Sequence, residues 1–191
     1  PEPKHKYLTR DELDKLMNTP LTRPHHYLVR DLFLFSCYTG IPYADMCVLS
    51  DEDISTAADG VVWIKTSREK TCVNYDVPLL DLPLQILDRY KGKVYDGRLL
   101  PMYSNSNMNI VLKRIAKTCG IDRRLTFHHA RHTYASEITL SQGVPIETVS
   151  RMLGHAEIAT TQIYAKITND KIDEDMKALD ERIAGRFKFA I

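Results

Sequence analysis

The sequence feature that most limits the fold is a short β-like section inside a chain whose other segments have helical character. Residues Val61–Ile64 and Cys72–Val77 are rich in β-branched and aromatic side chains, and the second run alternates. Asp59-Gly60 is a turn signal before the first run, and Ile54 is expected to begin an edge strand. The polar link 66–71 (TSREKT) is expected to be the hairpin tip. These features predict a mainly α protein with a small antiparallel sheet (α+β).

Capping residues predict where the helices begin and end. Thr9 with Glu12 forms a capping-box pattern before a first short helix that ends near Met17. Thr39-Gly40 predicts the end of a buried helix that begins at Tyr27. Further helices are expected over Tyr43–Val48, from Asp81 to Lys91-Gly92, from Ser104 or Ser106 to Cys119-Gly120, from Thr126 to Gln142-Gly143, from Pro145 to Leu153-Gly154, around Tyr164, and from Thr168 or Asn169 to about Ala184.

Length and composition limit the class of protein. The 191 residues are enough for one well-cored domain, or for a domain with a tail. No apolar run approaches the ~18 residues of a membrane span, and the start has no signal-peptide pattern. The four cysteines form no CxxC pair, so we expect a reducing, intracellular compartment without a disulfide or zinc framework. The net charge of +1 does not by itself indicate a nucleic-acid binder.

Three side chains of one helical turn form a candidate phosphate site. His128, Arg131 and His132 lie three and four residues apart, so they share a helix face. A guanidinium between two imidazoles repels a metal ion, but it offers a bidentate fork to phosphate oxygens, and imidazole moves protons near neutral pH. The glutamate of an HExxH zinc motif is absent, because position 129 is histidine. A capped helix with surface charges remains the alternative.

The segment 144–164 adds a second imidazole and a phenol. His155 follows Gly154 at a predicted helix end, where a helix dipole favours a cation. Tyr164 is either a packed aromatic or a reactive phenol. The run that contains Arg151 is also typical of a helix–turn–helix, so a non-catalytic DNA-binding module remains possible. Arg151 is expected to contact DNA.

Two cations occupy the predicted hairpin tip. Arg68 and Lys70 are two residues apart, and such positions face one side of a regular strand. On a β-turn they are able to close onto a phosphate or the DNA minor groove. The alternative is a solvated turn.

Taken in order, these motifs resemble the catalytic domain of the tyrosine recombinase (phage integrase) family. The resemblance runs from about Leu8 to Ala165 and rests on the set rather than on any one motif. Its members are Thr39-Gly40, Asp45, Leu49, Lys70 before Val77-Pro78-Leu79, His128-x-x-Arg131-His132, Leu153-Gly154-His155 and Tyr164. The resemblance implies the tyrosine recombinase catalytic-domain fold.

One position departs from the family pattern. After Thr39-Gly40 the family has an apolar residue and then a catalytic arginine, but this chain has Ile41 and then Pro42. A branch of the family, the integrases of conjugative transposons and related mobile elements in Bacteroides-type bacteria, similarly lacks this arginine. In that branch an arginine two residues before the catalytic lysine is thought to compensate. The resemblance therefore implies Arg68 as the substitute, ahead of Arg30 and Arg124.

The resemblance implies a role for each site residue. Tyr164 is the nucleophile that forms a 3′-phosphotyrosyl link, Arg131 and Arg68 hold the phosphate, and Lys70 is the general acid. His128 assists proton removal or binds the phosphate, and His155 hydrogen-bonds a non-bridging oxygen. Asp45 and His132 support these groups. No cofactor and no metal are expected, since the covalent link conserves the bond energy.

The resemblance also implies organisation and partners. We expect a linker remnant over 1–8, a catalytic domain over 9–166 and a tail over 167–191. The tail's apolar residues recur at helical spacing, and it packs either on its own domain or on a neighbouring protomer. Double-stranded DNA, a homo-tetramer on DNA with tail exchange, and accessory DNA-bending proteins are the implied partners, in the bacterial cytoplasm at the nucleoid. The alternatives are a DNA-binding relative without catalysis, a topoisomerase of type IB chemistry, or a zinc hydrolase.

Overall fold

The computed structural model describes residues 6–94, 96–165 and 169–186, with the side chains of 169–171 outside that description. The described helices are α1 Arg10–Asn18, α2 Pro24–Thr39, α3 Tyr43–Met46, α4 Asp81–Tyr90, α5 Asn105–Thr118, α6 His128–Thr133, α7 Ile146–Met152, α8 Ala159–Gln162 and α9 Asn169–Ile183. The described strands are β1 Ile54–Thr56, β2 Val62–Ser67 and β3 Asn74–Pro78. Three of the residues used in the predictions for the tail, Lys166, Ile167 and Thr168, lie outside the described residues.

Helix α2 forms the centre of the core. It begins three residues earlier than predicted, because Pro24 occupies its first turn and leaves no amide unpaired there. It ends as predicted at Gly40, which has a φ of 71°. Leu32, Phe33 and Phe35 are fully buried, and α2 packs against α4, α5 and α6. The end of α2 is therefore held rigidly beside α6.

The predicted sheet is present, with a longer hairpin than expected. Strand β2 pairs antiparallel with both β1 and β3, so the order is β1-β2-β3. Ser67 pairs with Asn74, which extends β2 three residues beyond the predicted end at Ile64. The hairpin tip is therefore 68–73 rather than 66–71. Cys72 in this tip has a φ of 54°, a left-handed conformation that suits a tight turn.

The helix that carries the HxxRH motif begins later than predicted, and the helical run that it opens ends at Gly143, as predicted. Thr126 does not cap it: the helix begins at His128, and the His129 ring accepts a hydrogen bond from the Thr126 N–H at 3.0 Å. Beyond α6 the chain continues as a π-helical turn, Tyr134–Thr139, and a 3₁₀ turn that ends at Gly143. The Thr139 hydroxyl donates to the carbonyls of Tyr134 and Ala135, which satisfies backbone groups that the π geometry displaces.

The first described residues of the chain pack against later segments. Leu8 is fully buried, its N–H donates to Thr133 Oγ1 at 2.9 Å, and Arg123 donates to the Tyr7 carbonyl. Residues 7 and 8 thus pack on the domain, although the sequence analysis placed them in a linker. The predicted boundaries at 9 and 166 stay predictions.

Helix α9 presents apolar side chains to solvent. Ile172, Met176 and Leu179 are 51%, 56% and 38% exposed. Helix α9 therefore does not bury these three side chains against the described part of the chain. No helix among the described residues is long and apolar enough to cross a membrane.

Candidate active site

Arg131 is the centre of the candidate site. It lies on α6 between the ends of α2 and α7, and it is only 5% exposed. Its guanidinium donates to the Gly40 carbonyl at 2.8 Å and to the Leu153 carbonyl. Burial, followed by the nearby Arg68, lowers its pKa to about 10. Arg131 therefore stays charged at neutral pH and is fixed by two helix ends.

His155 lies directly beside Arg131. Its Nε2 is 3.1 Å from Arg131 Nη2, and its Nδ1 is 2.7 Å from Thr161 Oγ1. Since arginine only donates, Nε2 carries the lone pair, and Nδ1–H donates to the hydroxyl of Thr161. Burial, then Arg131 and Arg68, lowers the pKa of His155 to about 4. The ring is therefore neutral at pH 7, in one defined tautomer.

His128 and His132 form a second imidazole pair. Their Nε2 atoms are 2.9 Å apart, so one ring donates to the other. Burial, followed by His128, lowers the pKa of His132 to about 4, and burial followed by Arg131 lowers the pKa of His128. His128 is exposed, whereas His132 is buried. The exposed ring is thus the one placed to exchange protons with a ligand.

Tyr164 closes the site on the side of α8. It follows α8 by two residues, so the prediction that a helix carries it is wrong. Its ring stacks on His155 with centroids 6.4 Å apart and meets the edge of His132 at 5.1 Å. Burial raises the pKa of the phenol, and Arg131 and Arg68 counteract this effect. The phenol is neutral, half-buried and next to two cations.

The hairpin brings Arg68 into the site, but not Lys70. The Arg68 side chain crosses Gly154, and its Nη1 donates to the Leu153 carbonyl at 3.4 Å. Arg68 and Arg131 therefore meet at one carbonyl oxygen. Lys70 is exposed and makes no hydrogen bond or ion pair with any residue that the structure describes. Both cations lie in the hairpin tip, as predicted, but β2 ends at Ser67, so the alternation of a regular strand does not bring them to one side.

Asp45 contacts the hairpin through both its backbone and its Arg68 side chain. It is 1% exposed, and its Oδ2 is 3.4 Å from Arg68 Nε. Its Oδ1 accepts a hydrogen bond from the Glu69 N–H at 3.2 Å, and its Oδ2 accepts from the Tyr75 hydroxyl at 2.7 Å. This carboxylate holds the Arg68 side chain and the hairpin backbone together.

The other candidate arginines lie elsewhere. Arg30 donates to the carbonyls of Met17 and Thr19, so it ties α2 to the end of α1. Arg124 is exposed and makes no hydrogen bond or ion pair with a described residue. Pro42 is the N-cap of α3, two residues after the Gly40 carbonyl that Arg131 contacts. Arg68 is thus the arginine found beside Arg131.

An open pocket of about 320 Å³ adjoins the site between β3 and α7. His155, Gly154 and Arg151 line it, together with Glu147. Arg151 is exposed at this rim. Among the described residues no group of three or more metal-ligating side chains occurs.

Sequence reasoning did not identify two residues of the site. Thr161 is fully buried and binds His155, and Tyr75 is 2% exposed and binds Asp45. Tyr75 sits in a predicted strand, where an aromatic residue is ordinary. The only sequence signal for Thr161 is its place between two motif residues. Tyr75 and Asp45 are 30 residues apart and Thr161 and His155 are 6 apart, so neither hydrogen bond follows from spacing within one helix or strand.

Chemically, the arrangement fits a phosphodiester. Two guanidiniums converge where Leu153 ends α7, and a neutral phenol lies beside them with two neutral imidazole groups. Fixed cationic donors in a partly dry site stabilise charge that builds on a phosphorus centre. A phenol next to them is placed for attack on that centre.

Comparison with known proteins agrees with this chemistry. The model of the phage integrase family matches residues 6–171. A tyrosine recombinase of Pseudothermotoga lettingae is 28% identical over 182 residues, covering 92% of this chain and 61% of that protein. Tyrosine recombinase XerD of Halalkalibacterium halodurans is 28% identical over 183 residues, covering 87% and 59%. The chain thus spans about 60% of the length of these curated relatives.

Solved structures share the fold. XerA recombinase has a TM-score of 0.70 at 22% identity, covering 98% of this chain and 68% of that chain. The Tn1549 transposon integrase in complex with circular intermediate DNA has a TM-score of 0.71 at 19% identity, covering 93% and 67%. The predicted fold class is confirmed. Because the family model matches most of this chain, the chain belongs to the phage integrase family.

Proposed function

We propose that this chain is the catalytic domain of a site-specific DNA recombinase that cleaves and rejoins DNA through a 3′-phosphotyrosine intermediate. One observation carries the proposal. The Tyr164 ring lies between His132 and His155, at the point where Arg131 and Arg68 converge on the Leu153 carbonyl. A nucleophile and two phosphate-binding cations thus share one pocket.

In the first step, Tyr164 Oη attacks the scissile phosphorus. A P–Oη bond forms and the P–O5′ bond breaks, so the phosphate ends on tyrosine as a 3′ ester. The phenol proton passes to the neutral imidazole of His128, and Lys70 gives a proton to the departing 5′ oxygen. A 5′ hydroxyl of another strand reverses these steps. Because the ester conserves the bond energy, the reaction needs no cofactor.

Lys70 reaches this role only when the hairpin closes. The tip projects into solvent in the free chain, and its exposed ammonium has no partner among the described residues. A phosphodiester bound at Arg68 supplies the charge that draws Lys70 inward. Exposed hairpin tips change conformation at low cost, which suits a group that arrives with the substrate.

Arg131 and His155 exchange partners when the phosphate binds. In the free chain Arg131 donates to Nε2 of His155, so Nε2 is an acceptor. A non-bridging oxygen that accepts the Arg131 hydrogen bond in place of His155 frees Nε2, which then takes a proton from solvent and donates a hydrogen bond to a second oxygen. The phosphate dianion of the transition state favours that protonation.

The missing arginine at position 42 supports grouping this chain with the mobile-element and conjugative-transposon integrases of Bacteroides-type bacteria, which lack it. Arg68-x-Lys70 in the hairpin and Pro42 after Gly40-Ile41 support this assignment. The chain would then integrate or excise a mobile element, with Arg68 as the second phosphate cation.

The exposed apolar side chains of α9 support a proposal of assembly on DNA. Ile172, Met176 and Leu179 lie one helical turn apart and remain exposed. Docking of the tail on a neighbouring protomer would bury them, in a homo-tetramer on duplex DNA with accessory DNA-bending proteins. Arg151, Arg68 and Lys70 would contact the DNA backbone. Such a protein acts on chromosomal DNA in the cytoplasm, at the nucleoid.

The test uses the full chain and a pool of nicked suicide duplexes with randomised sequence beside the nick. A denaturing gel should show a covalent protein–DNA adduct, and peptide mass spectrometry should place it on Tyr164. Tyr164→Phe should retain gel-shift binding and form no adduct. Binding without any adduct in the wild type would mean that catalysis has been lost, and an adduct in Tyr164→Phe would exclude the assigned nucleophile.

A further inference from the structure

Asp45 is shared by three partners, one of which has no place in the mechanism above. Arg68 and the Glu69 N–H belong to the hairpin that carries the substitute cation. The third partner is the hydroxyl of Tyr75, which donates to Asp45 Oδ2 at 2.7 Å. This is the shortest of the three contacts. The hydrogen bond from the phenol is therefore the strongest interaction of that carboxylate.

Tyr75 also packs against the turn that presents the Leu153 carbonyl. Gly154 has a φ of 62°, and a Cβ there would lie 2.9 Å from Arg68 Cγ and 3.0 Å from Tyr75 Cδ1. The absence of a side chain thus lets Arg68 and Tyr75 lie together on this turn. Tyr75 is 2% exposed, so its position is set by packing.

The ion pair between Arg68 and Asp45 is incomplete. Arg68 Nε is buried and forms no hydrogen bond to a described residue, although Asp45 Oδ2 is only 3.4 Å away. The same oxygen accepts a shorter hydrogen bond from Tyr75, at 2.7 Å, so the phenol is the group that restrains the carboxylate at this distance from Arg68. Burial, followed by the charge of Asp45, raises the pKa of Tyr75 well above its usual range, so the phenol remains a donor at every working pH.

We propose that Tyr75 is a positioning residue: its hydroxyl anchors Asp45 Oδ2, so that the carboxylate orients Arg68 without drawing it out of the phosphate pocket. Without the hydroxyl, Asp45 Oδ2 would lose its shortest hydrogen bond in a buried site. The nearest donor is Arg68 Nε, which would then close the gap and pull the guanidinium away from the Leu153 carbonyl that it shares with Arg131. The inference rests on the proposed function, because it assumes that Arg68 binds the scissile phosphate.

The chain contains a matched control. The Tyr90 hydroxyl donates to Asp31 Oδ2 at 2.8 Å, and Arg89 pairs with the same oxygen at 2.7 Å. This second Tyr–Asp–Arg group lies on α2 and α4, away from the site. Tyr90→Phe therefore removes the same kind of hydrogen bond without touching the hairpin.

The test measures single-turnover cleavage of a nicked duplex and DNA affinity for the full chain. Tyr75→Phe should cleave about tenfold more slowly, as expected for loss of one hydrogen bond to a charged group, with a Kd within about twofold of wild type. Tyr90→Phe should cleave at a rate within about twofold of wild type. Asp45→Asn, which removes the charge and keeps the shape, should also slow cleavage by about tenfold or more.

A double variant distinguishes positioning from general destabilisation. If Tyr75 acts through Arg68, adding Tyr75→Phe to Arg68→Ala should change the rate by less than about twofold. The full tenfold loss in that background, or wild-type rate in Tyr75→Phe, would overturn the proposal. Absence of any adduct in the wild type would instead refute the proposed function, and wild-type rate in Arg68→Ala would refute the role of Arg68.

Discussion

Arg68→Ala tests whether the hairpin supplies the cation that position 42 lacks. Arg68 and Arg131 both donate to the Leu153 carbonyl beside Tyr164, so they form the two guanidiniums of the pocket. Loss of one fixed donor to a developing oxyanion typically costs about 10²–10³ in rate, or about 2.7–4 kcal/mol of transition-state stabilisation. We expect the single-turnover rate of adduct formation to fall by that factor.

Stability must be separated from chemistry in this variant. Arg68→Ala leaves Asp45 buried, but the Tyr75 hydroxyl and the Glu69 N–H still donate to it. We therefore expect a loss of about 1–3 kcal/mol in the free energy of unfolding, measured by urea denaturation. The protein should remain folded and bind DNA at 25 °C.

Arg30→Ala is the matched control. Arg30 Nε lies 3.7 Å from Asp31 Oδ1 with a side chain 12% exposed, against 3.4 Å and 16% for Arg68 and Asp45. Both variants thus lose a long ion pair to a buried carboxylate. Arg30→Ala should keep the wild-type cleavage rate, and an equal loss there would make Arg30 the substitute.

An arginine restored at position 42 provides a gain-of-function test of the same argument. Pro42 has φ −74° and ψ 164°, an extended conformation that arginine adopts without strain, and it lies two residues from Gly40. Pro42→Arg combined with Arg68→Ala should recover at least about tenfold of the lost rate. A rate for Arg68→Ala within about threefold of wild type, with an adduct that still depends on Tyr164, would refute the substitution argument.

Two further predictions concern the imidazoles. Thr161→Val removes the acceptor of His155 Nδ1–H and should slow adduct formation by about tenfold at unchanged DNA affinity. Thr139→Val is the control, because its buried hydroxyl contacts only backbone, and it should keep the wild-type rate. Equal rates of adduct formation in the two variants would exclude a role for the His155 tautomer. His132 and His155 have a pKa of about 4 in the folded chain and about 6.5 in the unfolded chain. Between these two pH values the unfolded state therefore binds more protons than the folded state. The free energy of unfolding should consequently fall as the pH is lowered from 6.5 to 4. After allowance for solvent screening the loss is about 1–2 kcal/mol for each ring, measurable by urea denaturation at pH 7 and pH 5, and an unchanged dependence in His155→Gln would contradict it.

The sequence by itself determined the elements and most of the reactive groups. Capping at Thr9, the stop at Gly40 and the alternating run before Pro78 are local signals, because they depend on backbone conformation within a few residues. The spacing of His128, Arg131 and His132 likewise determines a shared helix face.

Local signals are weaker where the same residues are compatible with several backbone conformations. The hairpin tip was misplaced, because 66–71 is polar and gives no sign that pairing continues to Ser67. The sequence predicts a helix that carries Tyr164, but α8 ends two residues before it. A helix this short has too little periodicity to mark its own end.

Only the tertiary structure decided that Arg68, and not Lys70, lies beside Arg131. The two cations belong to one polar run of the sequence, but the end of β2 turns Arg68 over Gly154 and leaves Lys70 in solvent. Asp45, Tyr75 and Leu153 come from three separate elements, and their hydrogen bonds with Arg68 and Arg131 depend on how those elements pack. Contacts between residues far apart in the chain carry no local signal, so the position of Arg68 beside Arg131 is a property of the fold.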